Sequence, residues 1–165
     1  MSASSLFRRA SDFEIVPLAA SDCADASALH ALGFRRPWSD GEINALIHQE
    51  PVFGFMARRP GGGWNRAPGG FVLARLVEDE AEILTITVRP KNRHGGLGWR
   101  LMGAVLRRLR TEGARSLFLE VDEANHEAVA LYRKLGFDVV AERAAYYDHD
   151  GGSKSTALVM RLKLG

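Results

Sequence analysis

The stretch that decides the fold is Val88-Arg89-Pro90-Lys91-Asn92-Arg93-His94-Gly95-Gly96-Leu97-Gly98-Trp99-Arg100-Leu101. It leaves a β-branched run at residues 81–88, crosses a proline and a glycine cluster, and enters a helix. Leu97, Leu101, Val105 and Leu109 recur four apart with Met102 and Leu106 beside them, while Arg100, Arg107, Arg108 and Arg110 face elsewhere. That spacing predicts an amphipathic helix, which Gly113 stops. Glycines before a helix let the backbone approach a phosphate, and the first-turn amides supply donors and a partial positive charge. On these residues alone two readings stay open, a tight strand-to-helix turn or an anion cradle. No Gly-Lys-Ser/Thr follows the glycines, which disfavours a nucleoside-triphosphate loop with magnesium. Four strand candidates precede them, which fits poorly with a dinucleotide fingerprint in an early βαβ unit.

Charge favours the cradle. The chain carries a formal net charge of +2, yet Arg89, Lys91, Arg93, Arg100, Arg107, Arg108, Arg110 and Arg115 face only Glu112 across that segment. The rest of the chain is therefore net negative. One basic zone on a near-neutral protein points to an anionic ligand held in one place, or to a solvated helix face; nucleic acid would call for a broader cationic surface.

Upstream, residues 13–18 predict a first strand. Ser21 is the expected cap of a helix ending at Gly33, and Ser39-Asp40-Gly41-Glu42 forms a capping box for a second helix that Pro51 ends. Strands at Val52–Arg58, Gly70–Val77 and residues 81–88 follow at hairpin spacing, with a glycine-rich connection at 60–69. Downstream come a buried strand at 116–121, a helix at 125–135 closed by Gly136, and strands at 137–143 and 156–163. The mixture predicts an α/β or α+β sheet with helices on both faces. Residues 1–12 read as a flexible lead-in and 13–165 as one domain. At 165 residues, 46% hydrophobic and 25% charged, the composition suits a single compact soluble domain.

Exclusions follow from the same inventory. One cysteine, Cys23, leaves no disulfide framework or thiolate cluster, and its place in the first helix suits packing rather than nucleophilic attack. No apolar run approaches the ~20 residues of a membrane span, and the N-terminus has no apolar signal core, so a cytoplasmic protein is expected. His30, His48, His94, His126 and His149 show no paired metal spacing, so no metal is expected. Four of them read as surface or packing residues; His94 sits by the proposed phosphate.

A second constellation is Glu120 at the end of an apolar strand, twelve residues before Tyr132 on the next helix. A carboxylate closing Leu117-Phe118-Leu119 is expected to be partly desolvated, which favours a base role near neutral pH. A tyrosine, with reference pKa about 10, can donate a proton to a departing thiolate of reference pKa about 8.5. Both residues also have plain structural readings, an exposed strand end and a core aromatic.

Together the two constellations resemble the GNAT superfamily of acetyl-CoA-dependent N-acetyltransferases. Arg93-x-x-Gly96-x-Gly98 looks like its pyrophosphate loop, and Asn125-x-x-Ala128-x-x-Leu131-Tyr132 with Gly136-Phe137 looks like its other signature. Leu119-Glu120-Val121, Asn125, Pro37-Trp38-Ser39 and Tyr146-Tyr147 narrow the likeness to the ribosomal-protein-alanine N-acetyltransferase type. Gly95 and Trp99 stand where relatives usually carry basic residues.

The resemblance implies a mixed, mostly antiparallel seven-stranded sheet splayed after the fourth strand, with about four helices. It implies acetyl-CoA as cosubstrate, held by backbone groups of Ile86, Thr87 and Val88 and by Arg93, His94, Gly95, Gly96, Leu97, Gly98, Trp99, Asn125 and Tyr132. Glu120 becomes the general base, through water, and Tyr132 the general acid. Phe34, Pro37, Trp38, Tyr146 and Tyr147 become the walls of an acceptor site for the N-terminal peptide of a protein, as in a small-subunit ribosomal protein beginning with alanine. No nucleic acid or membrane partner is implied. Two alternatives stand beside this reading: an acetyltransferase of a small-molecule amine, and a non-catalytic acyl-CoA-sensing module.

Overall fold

In the computed structural model, residues 12–61, 67–145 and 155–165 are described. Strand β1 (Glu14–Pro17) leads through a single 3-10 turn to helices α1 (Cys23–Gly33) and α2 (Asp40–Ile47). Three strands follow, β2 (Val52–Arg58), β3 (Gly70–Val77) and β4 (Glu80–Val88), and then helix α3 (Leu97–Thr111). Strand β5 (Ser116–Asp122), helix α4 (His126–Leu135) and strands β6 (Asp138–Ala145) and β7 (Ser155–Lys163) complete the order. The seven strands form one sheet in the order β1-β2-β3-β4-β5-β7-β6. It is mostly antiparallel, with β4 and β5 parallel. The expected architecture is therefore present.

Element ends moved where local chemistry overrode pattern. Helix α1 starts at Cys23 rather than beside Ser21, because Ala20–Asp22 winds as a 3-10 turn whose Asp22 carboxylate accepts the Ala19 N–H at 2.7 Å. The same Asp22, with Asp25, pairs with Arg58 on β2. Helix α2 begins as expected: the Ser39 hydroxyl accepts the Glu42 N–H at 3.1 Å. It ends at Ile47, four residues before Pro51, through a turn.

The residues pack as two compact units. The first runs through Leu73 and resumes over Thr85–Leu106; the second comprises Ala74–Leu84 and Arg107–Gly165. In the first unit Leu29, Ile43, Met56, Phe71 and Leu101 are fully buried, each contributing about 1.5–3 kcal/mol by leaving water. Gly70 matters by what it lacks. A Cβ there would lie 2.6 Å from the Thr87 carbonyl oxygen and 3.2 Å from the Val88 Cα, so only glycine lets β3 lie so close to β4. The end of the glycine-rich connection, Pro68 and Gly69, is buried as well, and its residues 62–66 lie outside the described residues.

In the second unit β5 alternates: Leu117, Leu119 and Val121 are buried, while Glu120 is exposed. β5 pairs antiparallel with β7 from Ser116↔Lys163 to Asp122↔Ala157. Its parallel register with β4 covers Glu80↔Ser116 to Glu82↔Phe118. The β6–β7 ladder carries an irregularity between Val139 and Ala141, leaving Val140 exposed.

Candidate active site

The glycine turn belongs to the first unit. After Val88 the chain makes a 3-10 turn over Pro90–Asn92, and His94 and Gly96 adopt left-handed backbone with φ of 66° and 84°. For His94 that conformation is uncommon. It reverses the chain so that the Gly96 carbonyl accepts the Arg100 N–H at 3.1 Å and opens α3. The first-turn N–H groups have no intrahelical acceptor by geometry, so they aim out of the helix end. His94, Gly95 and Gly96 are exposed, and a Cβ on Gly96 would meet nothing within 4 Å. Outward amides beside that open space can receive an anionic group such as a diphosphate.

The neighbouring cations divide. Arg93 Nε donates to the Val88 carbonyl at 3.2 Å, steadying the turn, while a guanidinium carries four further N–H donors. Arg89 is structural: its N–H donates to the Gly69 carbonyl at 2.7 Å and its Nε to the Pro68 carbonyl at 3.1 Å. Arg108 pairs with Glu112 at 3.1 Å in the last turn of α3. That end lies about 15–20 Å along the helix from Gly96. Arg108 and Arg110, in the last turn of α3, therefore complement a helix C-terminus, as the solvated-face reading had it.

Of the β4 residues expected beside the cofactor, Thr87 is buried and Ile86 and Val88 are half-buried, as strand alternation requires. The Thr85 and Thr87 hydroxyls are buried without a hydrogen-bond partner among the described residues. Leu97 is a core residue and Trp99 an exposed aromatic on the first turn of α3.

The loop between α1 and α2 also lies in this unit. Phe34 and Pro37 are exposed and Trp38 is half-buried. Phe34 and Trp38 lie against His30, which was expected to be a surface or packing histidine. His30 is buried, its ring lies 4.1 Å from Phe34 and 4.8 Å from Trp38 at interplanar angles of 7° and 10°, and its Nδ1 accepts the Trp38 N–H at 3.0 Å. Nothing in local spacing announces that bond, which joins residues eight apart.

In the second unit, Tyr132 is buried on α4 with its ring 5.8 Å from Phe137. Burial pushes its phenol up to about 12, so it stays protonated through the neutral range. Asn125 caps α4, its side-chain oxygen accepting the Ala128 N–H at 3.3 Å; its amide NH2 keeps donors for a ligand. Glu120 corrects the desolvation expected of it. Strand period two sends it to the face opposite Leu119 and Val121, where its side chain is 36% exposed and paired with Arg143 of β6. Arg143, whose Nε donates to the carboxylate at 3.0 Å, was not legible, because strand register rather than sequence spacing brings it there. Tyr146 and Tyr147 lie outside the described residues. Cys23 is buried, and burial with nearby Asp22 and Asp40 raises its thiol, against a nucleophilic role.

The profile of the acetyltransferase (GNAT) family matches residues 24–137, which spans the 34–38 loop, the glycine turn, Glu120 and Tyr132. The chain belongs to the GNAT acetyltransferase family. GNAT members of this kind are acetyl-CoA-dependent N-acetyltransferases, and the fold and activity class expected from the sequence stand. Among relatives, the chain is 37% identical to the [ribosomal protein bS18]-alanine N-acetyltransferase of Haemophilus influenzae, over 81% of this chain and 94% of that one. It is similar to the crystal structure of the ribosomal-protein-S18-alanine N-acetyltransferase of Escherichia coli, with TM-score 0.83, 28% identity, and 93% and 94% of the two chains covered. It shares its GNAT fold with yncA of Salmonella typhimurium, solved with its cofactor acetyl-CoA, at TM-score 0.77 and 18% identity over 93% and 95% of the chains. No helix among the described residues is long and apolar enough to cross a membrane.

Proposed function

We propose that this GNAT enzyme transfers the acetyl group of acetyl-CoA to the N-terminal α-amine of a protein, with a ribosomal small-subunit protein beginning with alanine as acceptor. A ribosomal acceptor places the reaction in the cytoplasm. The observation that carries the proposal is the 37% identity, across 94% of its length, to an enzyme named for that acceptor. The exposed Phe34 and Pro37 beside Trp38 support it, since aromatic and apolar walls suit an extended peptide end.

When bound, acetyl-CoA supplies an activated acetyl carbonyl and a thiolate leaving group. The chain's residues do the rest. Arg93 and the backbone of His94 through Trp99 hold the diphosphate, the edge of β4 at Ile86, Thr87 and Val88 aligns the pantetheine, and Asn125 adds a side-chain amide. An α-amine of reference pKa about 7.7–8.0 arrives largely as ammonium at neutral pH and must lose a proton before it attacks. Glu120 takes that proton through water. Its bond to Arg143 fixes the carboxylate's orientation, and one oxygen has to be shared with the water for transfer to occur. A phenol at about 12 is a weak acid against a free thiolate near 8.5. Tyr132 therefore acts chiefly as a hydrogen-bond donor to sulfur as charge develops, and full proton transfer needs a thiolate desolvated like the phenol itself.

The test is mass spectrometry of peptides incubated with enzyme and acetyl-CoA. Peptides beginning with alanine should gain one acetyl at the α-amine. Modification of lysine side chains or of polyamines alone would replace this reading with the small-amine one. Coenzyme A binding without any acetylated product would favour the sensing module.

A further inference from the structure

His30 is oriented by more than packing. It sits in the last turn of α1, only 2% exposed. The Phe34 and Trp38 rings are nearly parallel to it at 4.1 and 4.8 Å. Two parallel rings at those separations would overlap if they shared one face, so the imidazole lies between them. Its Nδ1 accepts the Trp38 N–H at 3.0 Å, which requires a neutral ring with its proton on Nε2. Burial lowers the proton affinity of His30 and keeps that form. Three residues earlier on the same helix face, the Ser27 hydroxyl donates to the Trp38 carbonyl at 2.8 Å. Both backbone polar groups of Trp38 are thus held by side chains of α1.

A surface loop can leave its backbone groups to water, but at Trp38 both are taken by side chains of one helix. Here Phe34 is 45% exposed although its ring is stacked on a buried imidazole: the loop holds an aromatic surface outward in a fixed pose. Groups immobilised before a ligand arrives need not be ordered by it, which is worth affinity without adding a contact.

We propose that His30 is the positioning residue of the acceptor loop, clamping the Trp38 peptide so that Phe34, Pro37 and Trp38 stand ready for the first residue of the incoming chain. The proposal rests on the reading of 34–38 as an acceptor wall, and deepens it by assigning what sets the wall's shape. His30 touches no reacting atom and acts through Trp38.

Two substitutions separate its functions. His30→Phe keeps an aromatic ring between Phe34 and Trp38 and removes the acceptor; His30→Asn places an amide oxygen near the position of Nδ1 and removes the ring. Ser27→Ala deletes the other half of the clamp with little change of volume. Amide hydrogen exchange at Trp38 is read beside steady-state kinetics with an Ala-initiated peptide and acetyl-CoA. In His30→Phe the Trp38 amide should exchange at least about tenfold faster and the peptide KM should rise about tenfold. The acetyl-CoA KM and kcat should stay within about twofold. His30→Asn should recover part of the exchange protection, and Ser27→Ala should raise the peptide KM in the same direction by less. Unchanged exchange at Trp38 in a folded His30→Phe protein would overturn the proposal. So would faster exchange with an unaltered peptide KM, or a fall in kcat with both KM values unchanged. Should His30→Phe fail to fold, Ser27→Ala and His30→Asn decide on the same readouts. A wild-type protein that leaves Ala-initiated peptides unmodified overturns the acceptor reading instead, and that result is visible without any variant.

Discussion

The glycine turn at 93–98 and the loop at 34–38, proposed to hold cofactor and acceptor, are fixed by opposite means. The turn is fixed by its own backbone: left-handed φ at His94 and Gly96, a carbonyl opening α3, and open space before the first-turn amides. The loop is fixed from outside, by Ser27 and His30 on the preceding helix. Backbone devices leave a mark in local sequence because they require glycine at particular positions. Side-chain clamps leave none, because any residue pair that meets in space can form them. Hence the glycine turn reads as a motif in the sequence, while the fixing of the 34–38 loop does not.

Predictions that break or sharpen this contrast run from large to small. The reaction itself should be most sensitive at neither region. Glu120→Gln should lower kcat by about 10²–10⁴ at neutral pH, the usual range for a lost general base, with coenzyme A affinity unchanged by calorimetry. A kcat within twofold of wild type would remove Glu120 from the mechanism. Next is Tyr132. Its phenol pKa is raised to about 12 in the folded protein from a reference near 10. Its contribution is fully present below pH 10 and is lost as pH rises from 10 to 12, because the unfolded chain gives up that proton first. Denaturation of wild type against Tyr132→Phe across that window should show a wild-type-specific loss of roughly 3 kcal/mol; parallel curves would mean that the phenol is not desolvated.

Gly70→Ala should destabilise by about 1–3 kcal/mol in urea denaturation, since the new Cβ must displace β4 backbone. Gly96→Ala probes conformation alone, because no atom lies within 4 Å of the added Cβ. Left-handed backbone costs an alanine roughly 1–2 kcal/mol. That should appear as an acetyl-CoA KM several-fold higher with the peptide KM unchanged, the mirror image of His30→Phe. Equal effects on both KM values would dissolve the contrast between the regions. The smallest effect is expected at Arg143→Ala. Its pair with Glu120 is largely exposed, so melting should report a stability change of about 0–1 kcal/mol.

Legibility tracked the range of the interactions. Strands β2 and β3 fell at the boundaries read from alternation and turn residues, and α3 declared itself through leucines four apart. The start of α1 moved by one residue, its cap passing from Ser21 to Asp22, because the Asp22 carboxylate rather than the Ser21 hydroxyl organised the turn. Glu120 was found by motif and misjudged in environment: the neighbouring run of apolar letters concealed that only alternate residues face inward. Gly70 read only as the first residue of a strand, and the backbone of β4 that lies against it was invisible in local sequence. His30 and Arg143 could not be placed from spacing, since their partners lie eight and twenty-three residues away.

The central claim is that the amides opening α3 grip the diphosphate of the acyl carrier, and calorimetric titration with coenzyme A tests it directly, using wild type beside Gly96→Val. Wild type should give a saturable heat with affinity in the range of about 1 μM–1 mM, and the variant, strained and branched at the turn, should bind at least about tenfold more weakly. Absence of heat from folded wild type, or equal affinity in the two proteins, would contradict it.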